Sequence, residues 1–355
     1  MALTDTSTAV RPGEELDAAA IDTYLKAHLE GLEGSPTITQ FPGGASNLTY
    51  LLRYPERDLV LRRPPFGHKA RSAHDMGREY RILERLRQAF PYCPQGLVHC
   101  TDSSLIGAEF YVMTRIEGII LRSDIPPALG LDATRTRALC ESFIDRLVEL
   151  HHVDYQASGL GDLGKPQGYV QRQVQGWSER YRQAMTPDAP DWRQVIAWLE
   201  AKLPADSPRA SIIHNDYRFD NVILDAHNPM RIIGVLDWEM TTLGDPLMDL
   251  GSSLAYWIQA DDPEPIQRMR RQPSNAPGML DRRGFVAYYA ERAGVAIDNF
   301  DFYYIYGLFR LAGIVQQIYY RYHHGQTQDS RFAGFVGMNR LLERQCLTAI
   351  ERSSL

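Results

Sequence analysis

Residues 212–224 read IIHNDYRFDNVIL, and a second run, GVLDWEMTTLGDPLMDLG, occupies residues 234–251. Asp216 and Asn221 lie five apart between apolar β-formers, and Asp237 follows the apolar stretch IIGVL. This spacing predicts short strands that anchor tight polar loops. Oxygen-bearing side chains brought together from two such loops suit a hard cation such as Mg2+. That ion takes few carboxylates and leaves positions for phosphate oxygens. A nearby carboxylate that is not a metal ligand can accept the proton of an attacking hydroxyl. Positioning, charge neutralisation and a weak base together are the requirements of phosphoryl transfer.

The elements that must position these residues follow from periodicity and turn signals. A chain of 355 residues suits two lobes or domains rather than one core. Residues 1–14 form a loose arm, and EELDAAAIDTYLKAHLEGL then carries helical spacing up to Gly31 and Gly34. TITQFPGGASNLTYLLRYPERDLVLRRP predicts three strands, with turns at Gly43-Gly44 and Tyr54-Pro55. SAHDMGREYRILERLRQAF predicts an amphipathic helix with Met76, Tyr80, Leu83 and Leu86 on one side. Two strands follow, around LVHCTD and EFYVMTRI, the second broken by Glu117-Gly118. Beyond Gly118 the pattern is mostly helical, apart from the two polar runs. The expected fold class is therefore α+β, with a small antiparallel-sheet N-lobe and a larger helical C-lobe. The expected boundaries are an N-lobe over 1–112, a hinge over 113–118 and a C-lobe over 119–355.

The order of these parts resembles the kinase fold. His214-Asn-Asp216-Tyr-Arg-Phe-Asp-Asn221 is similar to the catalytic loop of kinase-fold phosphotransferases, and Asp237-Trp-Glu239 to their metal-binding position. LDWEMTTLGDPLMDL, LRRPP, SAHDMGREYRIL and QFPGGASNLTYLLR resemble the aminoglycoside-phosphotransferase-like family. Within it they more closely resemble the group related to the kinase-like N-terminal domain of multidomain acyl-CoA dehydrogenases. The likeness runs from about residue 10 to about residue 340, so the kinase-like part alone is expected, without a dehydrogenase domain. The resemblance implies a bilobal, protein-kinase-like fold that binds ATP and Mg2+. It implies Asp216 as the base on the substrate hydroxyl, and Asn221 and Asp237 as Mg2+ ligands. It gives His214 a supporting role and sets Arg218 where a lysine meets the transferred phosphate in serine/threonine kinases. Gly43, Gly44, Ser46 and Asn47 match the glycine-rich turn over the phosphates. Met113, Thr114 and Ile116 fall in the hinge that would hold adenine through backbone groups.

One position departs from the kinase pattern. The third strand usually carries a lysine paired with a glutamate of the next helix; here Arg62 stands there, with Glu79 as partner. An arginine fork is not interchangeable with an ammonium, although both bind phosphate. Strand alternation lets only one of Arg62 and Arg63 face the phosphates, and which one stays open. Taken alone, an Arg62–Glu79 pair is equally consistent with a surface ion pair. Asp245 and Asp249 read as a helix cap and a loop brace rather than metal ligands. His151-His152 and His323-His324 lack ligand spacing and read as structural or surface residues.

The acceptor is expected to be a small molecule bearing a hydroxyl, with a hydroxy acid or hydroxyacyl thioester as the candidate, the acyl link coming from the resemblance. QRQVQGWSERYRQA and FYYIYGLFRLAGIVQQIYYRYHH are aromatic and basic, with Trp177 and Tyr181, and Tyr306 and Arg310, four apart on helical faces. An arginine such as Arg310 facing the cleft would prefer an anionic acceptor to a polycation. Aminoglycoside or amino-alcohol phosphorylation, and a nucleotide-binding pseudokinase or scaffold, are the alternatives. A net charge of −6 argues against a general nucleic-acid partner, despite ten Lys/Arg against five Asp/Glu between Arg53 and Arg87. No apolar run of eighteen residues and no secretory signal is visible, so no membrane span is expected. Four scattered cysteines fit a reducing, cytoplasmic setting. The oligomeric state is left open.

Overall fold

In a computed structural model of the protein, residues 4, 6–42, 47–66 and 75–355 are described. The chain forms two compact units. The first runs up to Ile120 and takes in Gln156–Leu160 and Asn221–Glu239; the second holds Leu121–Tyr155, Gly161–Asp220 and Met240–Leu355.

In the first unit the alternating segments form β1 (Thr37–Gln40), β2 (Leu48–Arg53), β3 (Asp58–Arg63), β4 (Gly96–Cys100) and β5 (Phe110–Thr114). They make one antiparallel sheet in the order β1-β2-β3-β5-β4. The β2–β3 hairpin closes through Tyr54 N–H donating to Arg57 O at 3.1 Å. One sheet face carries Tyr50, Leu52, Leu59, Leu61, Phe110 and Val112. It packs on Ile21 and Leu25 of helix α1 (Ala18–His28). Helix α2 (Met76–Leu86) packs against β4 and β5, its N-terminus capped by Asp75 accepting from Arg78 N–H. Its buried stripe is Met76, Glu79, Ile82, Leu83 and Leu86. Tyr80, expected on that stripe, sits to one side and stacks on His99.

The two polar runs carry four short strands: β6 (Ser211–Ile213), β7 (Val222–Leu224), β8 (Ile232–Val235) and β9 (Thr242–Gly244). β7 pairs with β8 within the first unit, and β6 pairs with β9 within the second. The remaining helices belong to the second unit: α3 (Ala133–His152), α4 (Tyr169–Gln183), α5 (Arg193–Ala201), α6 (Pro246–Ala255), α7 (Glu264–Gln267), α8 (Arg282–Ala293), α9 (Asp301–His323) and α10 (Phe335–Arg352). Asp245 caps α6 by accepting from Leu247 N–H, and Pro246 occupies the first turn, where its missing N–H is not needed. The α+β class and kinase-like element order expected from the sequence are the ones found.

The core of the second unit is built on the long apolar helix α9, which is crossed by α6 and α10 and touched by α4 and α5. Backbone meets backbone where α6 crosses α9. A Cβ on Gly307 would fall inside van der Waals contact with Gly251 O, and one on Gly251 inside contact with Tyr303 O. Gly307→Ala must therefore pry the helices apart. It is expected to destabilise the protein by about 1–3 kcal/mol, read as a lowered thermal midpoint. The four cysteines are free and buried. Among the described residues, no helix is long and apolar enough to cross a membrane.

Candidate active site

Arg62 and Arg63 are both buried, because helices cover both faces of the sheet. Alternation sends them to different surroundings. Arg63 donates to the backbone carbonyls of Pro64 and Ile106 and lies 3.6 Å over the Phe66 ring. Arg62, 8% exposed, enters an acidic cluster: its Nη1 donates to Glu79 Oε1 at 2.7 Å. Its Nη2 donates to Asp237 Oδ1 at 2.8 Å and Glu239 Oε2 at 3.1 Å. Asn47 Nδ2 also donates to Glu239 Oε2, at 3.0 Å. The Arg62–Glu79 pair is thus a buried one. Burial opposes the Arg62 charge, but Glu79 and Asp237 prevail and push its pKa well above the ordinary value.

Glu79, 3% exposed, is raised by burial, with Arg62 the main opposing influence and Asp237 adding to the rise. Removing Arg62 leaves that carboxylate buried without its cation. Arg62→Ala is expected to cost about 3–5 kcal/mol near neutral pH. A carboxylate whose folded pKa is raised takes up a proton on folding. The variant should therefore be more stable at pH 5 than at pH 8, losing up to about 1.4 kcal/mol per pH unit between the unfolded and folded values. Urea melts at the two pH values measure this.

Asp237 emerges from β8 with φ +67, a left-handed conformation uncommon outside glycine, and its side chain keeps 34% exposure. Trp238 anchors the turn: its ring is buried edge-on to Phe90, and its Nε1–H donates to Val235 O at 2.9 Å. At the same end of the β7–β8 ribbon, Leu236 N–H donates to Asn221 O at 2.8 Å, so Asn221 lies beside the strand that delivers Asp237. A carboxylate and an amide oxygen are hard donors and fit a Mg2+ ion whose other positions are filled by phosphate and water.

In the second unit, the loop after β6 is gripped by one fully buried carboxylate. Asp249 Oδ2 accepts from His214 N–H and Oδ1 from Asn215 N–H, each at 2.7 Å. His151 Nε2 lies 3.1 Å from Asp249 Oδ2, while His151 Nδ1 lies 2.7 Å from Tyr289 OH. Burial works against the Asp249 charge, but His151 and the backbone amides hold its pKa below the ordinary value. Asn215 has φ +64, and its Nδ2 donates to Met240 O. His214 is fully buried, and its Nδ1 accepts from Asp216 N–H at 3.2 Å. Arg218 meets Asp216 through Nε and Nη2, each at 3.1 Å, and Asp220 through Nη1 at 3.3 Å. Its guanidinium lies 4.6 Å over the Tyr256 ring. Burial opposes the Arg218 charge, yet Asp216 above all holds its pKa above the ordinary value.

The sequence-predicted residues fall into two sets. Asn47, Arg62, Glu79 and Asp237 meet in one cluster of the first unit, with Asn221 held at the strand end beside Asp237. Asp216 and Arg218 pair in the second unit. Met113 and Thr114 end β5, where Thr114 N–H already donates to Gln95 O at 3.0 Å, and Ile116 packs over Gly234. Gly43, Gly44 and Ser46 lie outside the described residues. Glu239 and Tyr256 were not singled out from the sequence. For Glu239 the signal was available, since it stands two residues after Asp237 in a polar turn. Nothing local marks Tyr256.

Comparison with known proteins identifies the family and the fold. The profile of the phosphotransferase enzyme family (APH) matches residues 37–285. The chain is 36% identical over 324 residues to acyl-CoA dehydrogenase family member 10 of Mus musculus. That match covers 90% of this chain and 30% of the relative, so the chain spans under a third of that protein's length. A crystal structure from Ralstonia eutropha, provisionally named as an aminoglycoside phosphotransferase, is 30% identical with a TM-score of 0.81. The match covers 96% of this chain and all of that one. The GDP complex of aminoglycoside 2'-phosphotransferase-IIIa, at 13% identity and a TM-score of 0.61, shares the fold over 93% of this chain and 98% of its own. With its profile matched over most of the length and its kinase-like order of elements, the chain belongs to the APH phosphotransferase enzyme family.

Proposed function

We propose that the protein is an ATP- and Mg2+-dependent small-molecule kinase that transfers the γ-phosphoryl group to an alcohol. The observation that carries this reading is Arg62, held at once by Glu79 and by Asp237. A phosphate-binding cation and a metal-binding carboxylate so arranged would serve the same nucleotide phosphates. The GDP bound to a neighbour of the same fold supports a nucleotide as donor.

Asp216 accepts the acceptor's hydroxyl proton as the oxygen–phosphorus bond forms and the bond to the leaving diphosphate breaks. Arg218 holds that carboxylate in register and offsets charge near the transferred group. Mg2+, which Asn221 and Asp237 would hold, supplies neutralisation of the phosphate charge. Arg62 would orient the nucleotide phosphates, and Asn47 would support Glu239 within the same cluster. Backbone groups around Met113, Thr114 and Ile116 would hold the base of the nucleotide. The acceptor is a hydroxy acid or a hydroxyacyl thioester, a reading supported by the acyl-CoA dehydrogenase name of a relative that this chain covers only in part. We place the protein in the cytoplasm.

Thermal denaturation with and without Mg-ATP, followed by ATP turnover over a panel of hydroxy compounds, tests the reading. Stabilisation together with acceptor-dependent ADP release is expected. Stabilisation with no turnover on any acceptor would instead mark a nucleotide-binding scaffold.

A further inference from the structure

Arg310 breaks the usual rule that a buried charge is paired. It lies on α9 with 3% exposure. Among the described residues no carboxylate comes within salt-bridge reach of it, and its guanidinium makes no hydrogen bond. The other buried arginines differ: Arg62 meets three acids, and Arg63, without an acid, donates to two backbone carbonyls. A second, half-buried arginine also lacks an acid. Arg180, on α4, has no acidic partner among the described residues, and its Nε is buried without a hydrogen-bond partner. The two guanidinium groups converge on one indole, with Arg180 4.1 Å and Arg310 5.5 Å from the Trp177 ring centre. Burial and then the Arg310 charge pull the Arg180 pKa down, with only phenols opposing. Cation–π contact compensates little of what an unpaired buried guanidinium forfeits by leaving water.

Through Tyr256, Arg310 is linked to the chemistry of its own unit. Arg218 spans from the Asp216 carboxylate to the Tyr256 ring, and the half-buried Tyr256 lies in the fields of both Asp216 and Arg310. A small molecule whose hydroxyl meets Asp216 would thus extend past Tyr256 toward two uncompensated cations. We propose that Arg310 and Arg180 bind an oxyanion of the acceptor, so that the substrate is a hydroxylated anion rather than a polycationic amino sugar. This rests on the phosphotransferase reading and specifies its substrate class. A carboxylate and a phosphate ester present the same chemistry to a guanidinium fork.

The test uses ω-hydroxyalkanoates of increasing chain length, the matching hydroxyalkyl phosphates and the matching diols. Each is measured by calorimetric binding to the full chain and by ATP-dependent turnover. Wild-type protein should bind one or both anionic series and discriminate against the diols; comparison of the two series identifies the oxyanion. Arg310→Gln should weaken anion binding about 10- to 100-fold and leave the diols unchanged, and Arg310→Lys should restore part of it. Arg180→Gln, altering a less buried side chain, gives the same sign should Arg310→Gln fail to fold. Equal binding of anions and diols, no anion binding, or equal weakening of both in the variants would overturn the inference. Turnover confined to uncharged or cationic acceptors would keep the kinase reading and remove this one. Arginine-dependent anion binding without turnover of any acceptor would keep the anion site and remove the kinase reading.

Discussion

Asp216→Ala protein should bind Mg-ATP as the wild-type protein does, yet transfer phosphoryl groups at least about 100-fold more slowly. The expectation follows from where Asp216 stands. Its carboxylate is held by Arg218 at 3.1 Å, and the first unit's cluster of Arg62, Glu79, Asp237 and Glu239 does not include it. Removing it takes away the proposed proton acceptor and frees Arg218 from its principal partner, while the groups assigned to the nucleotide keep their contacts. Equilibrium titration with a fluorescent ATP analogue and steady-state turnover on the best acceptor separate the two effects. Turnover at the wild-type rate would eliminate Asp216 as the base. Arg218 retains Asp220, so the variant should fold and its melting curve should stay close to wild type.

Asp249→Ala should act on stability and turnover together. Asp249 is fully buried and holds two successive backbone amides of the loop, those of His214 and Asn215, with His151 at 3.1 Å. Its removal leaves those donors buried without an acceptor, a loss of about 3–5 kcal/mol. Asn215, which already occupies a left-handed conformation, would be free to relax and carry Asp216 with it. A displacement of about 1 Å at a reacting group can lower turnover on the order of 100-fold. The pH dependence has a definite sign. The folded-state pKa of Asp249 is depressed, so its contribution is complete above the unfolded value of about 3.9 and fades as the pH falls through the folded value. Urea melts should therefore show a constant gap between wild type and variant above about pH 5, closing in stronger acid.

Much of the frame was legible in the residues. Alternation and turn signals placed β1 to β5, helical spacing placed α1 and α2, and the strand–loop–strand pattern around Asp216 and Asp237 is met by β6 to β9. Asp245 as a cap and Asp249 as a brace also followed from their places before and within a helix. These are local readings, because the periods of helices and strands and the backbone preferences of Gly, Pro and Asp act over a few residues.

The partners of the charges were not local. Both arginines of the Arg62-Arg63 pair are buried because α1 covers one face of the sheet and the acidic cluster meets the other, a layering no single strand announces. Arg62 reaches Asp237 across 175 positions, and Glu239 joins them from a turn whose backbone only the fold brings back to the first unit. The left-handed turns at Asn215 and Asp237 are held by tertiary anchors, Asp249 and Trp238, against the ordinary preference of those residues. The sequence by itself determined the kinds of groups and the elements that carry them. The tertiary structure alone decided which charges are neutralised and which, like Arg310, have no acidic partner among the described residues, because pairing energy depends on distance and burial rather than on order along the chain.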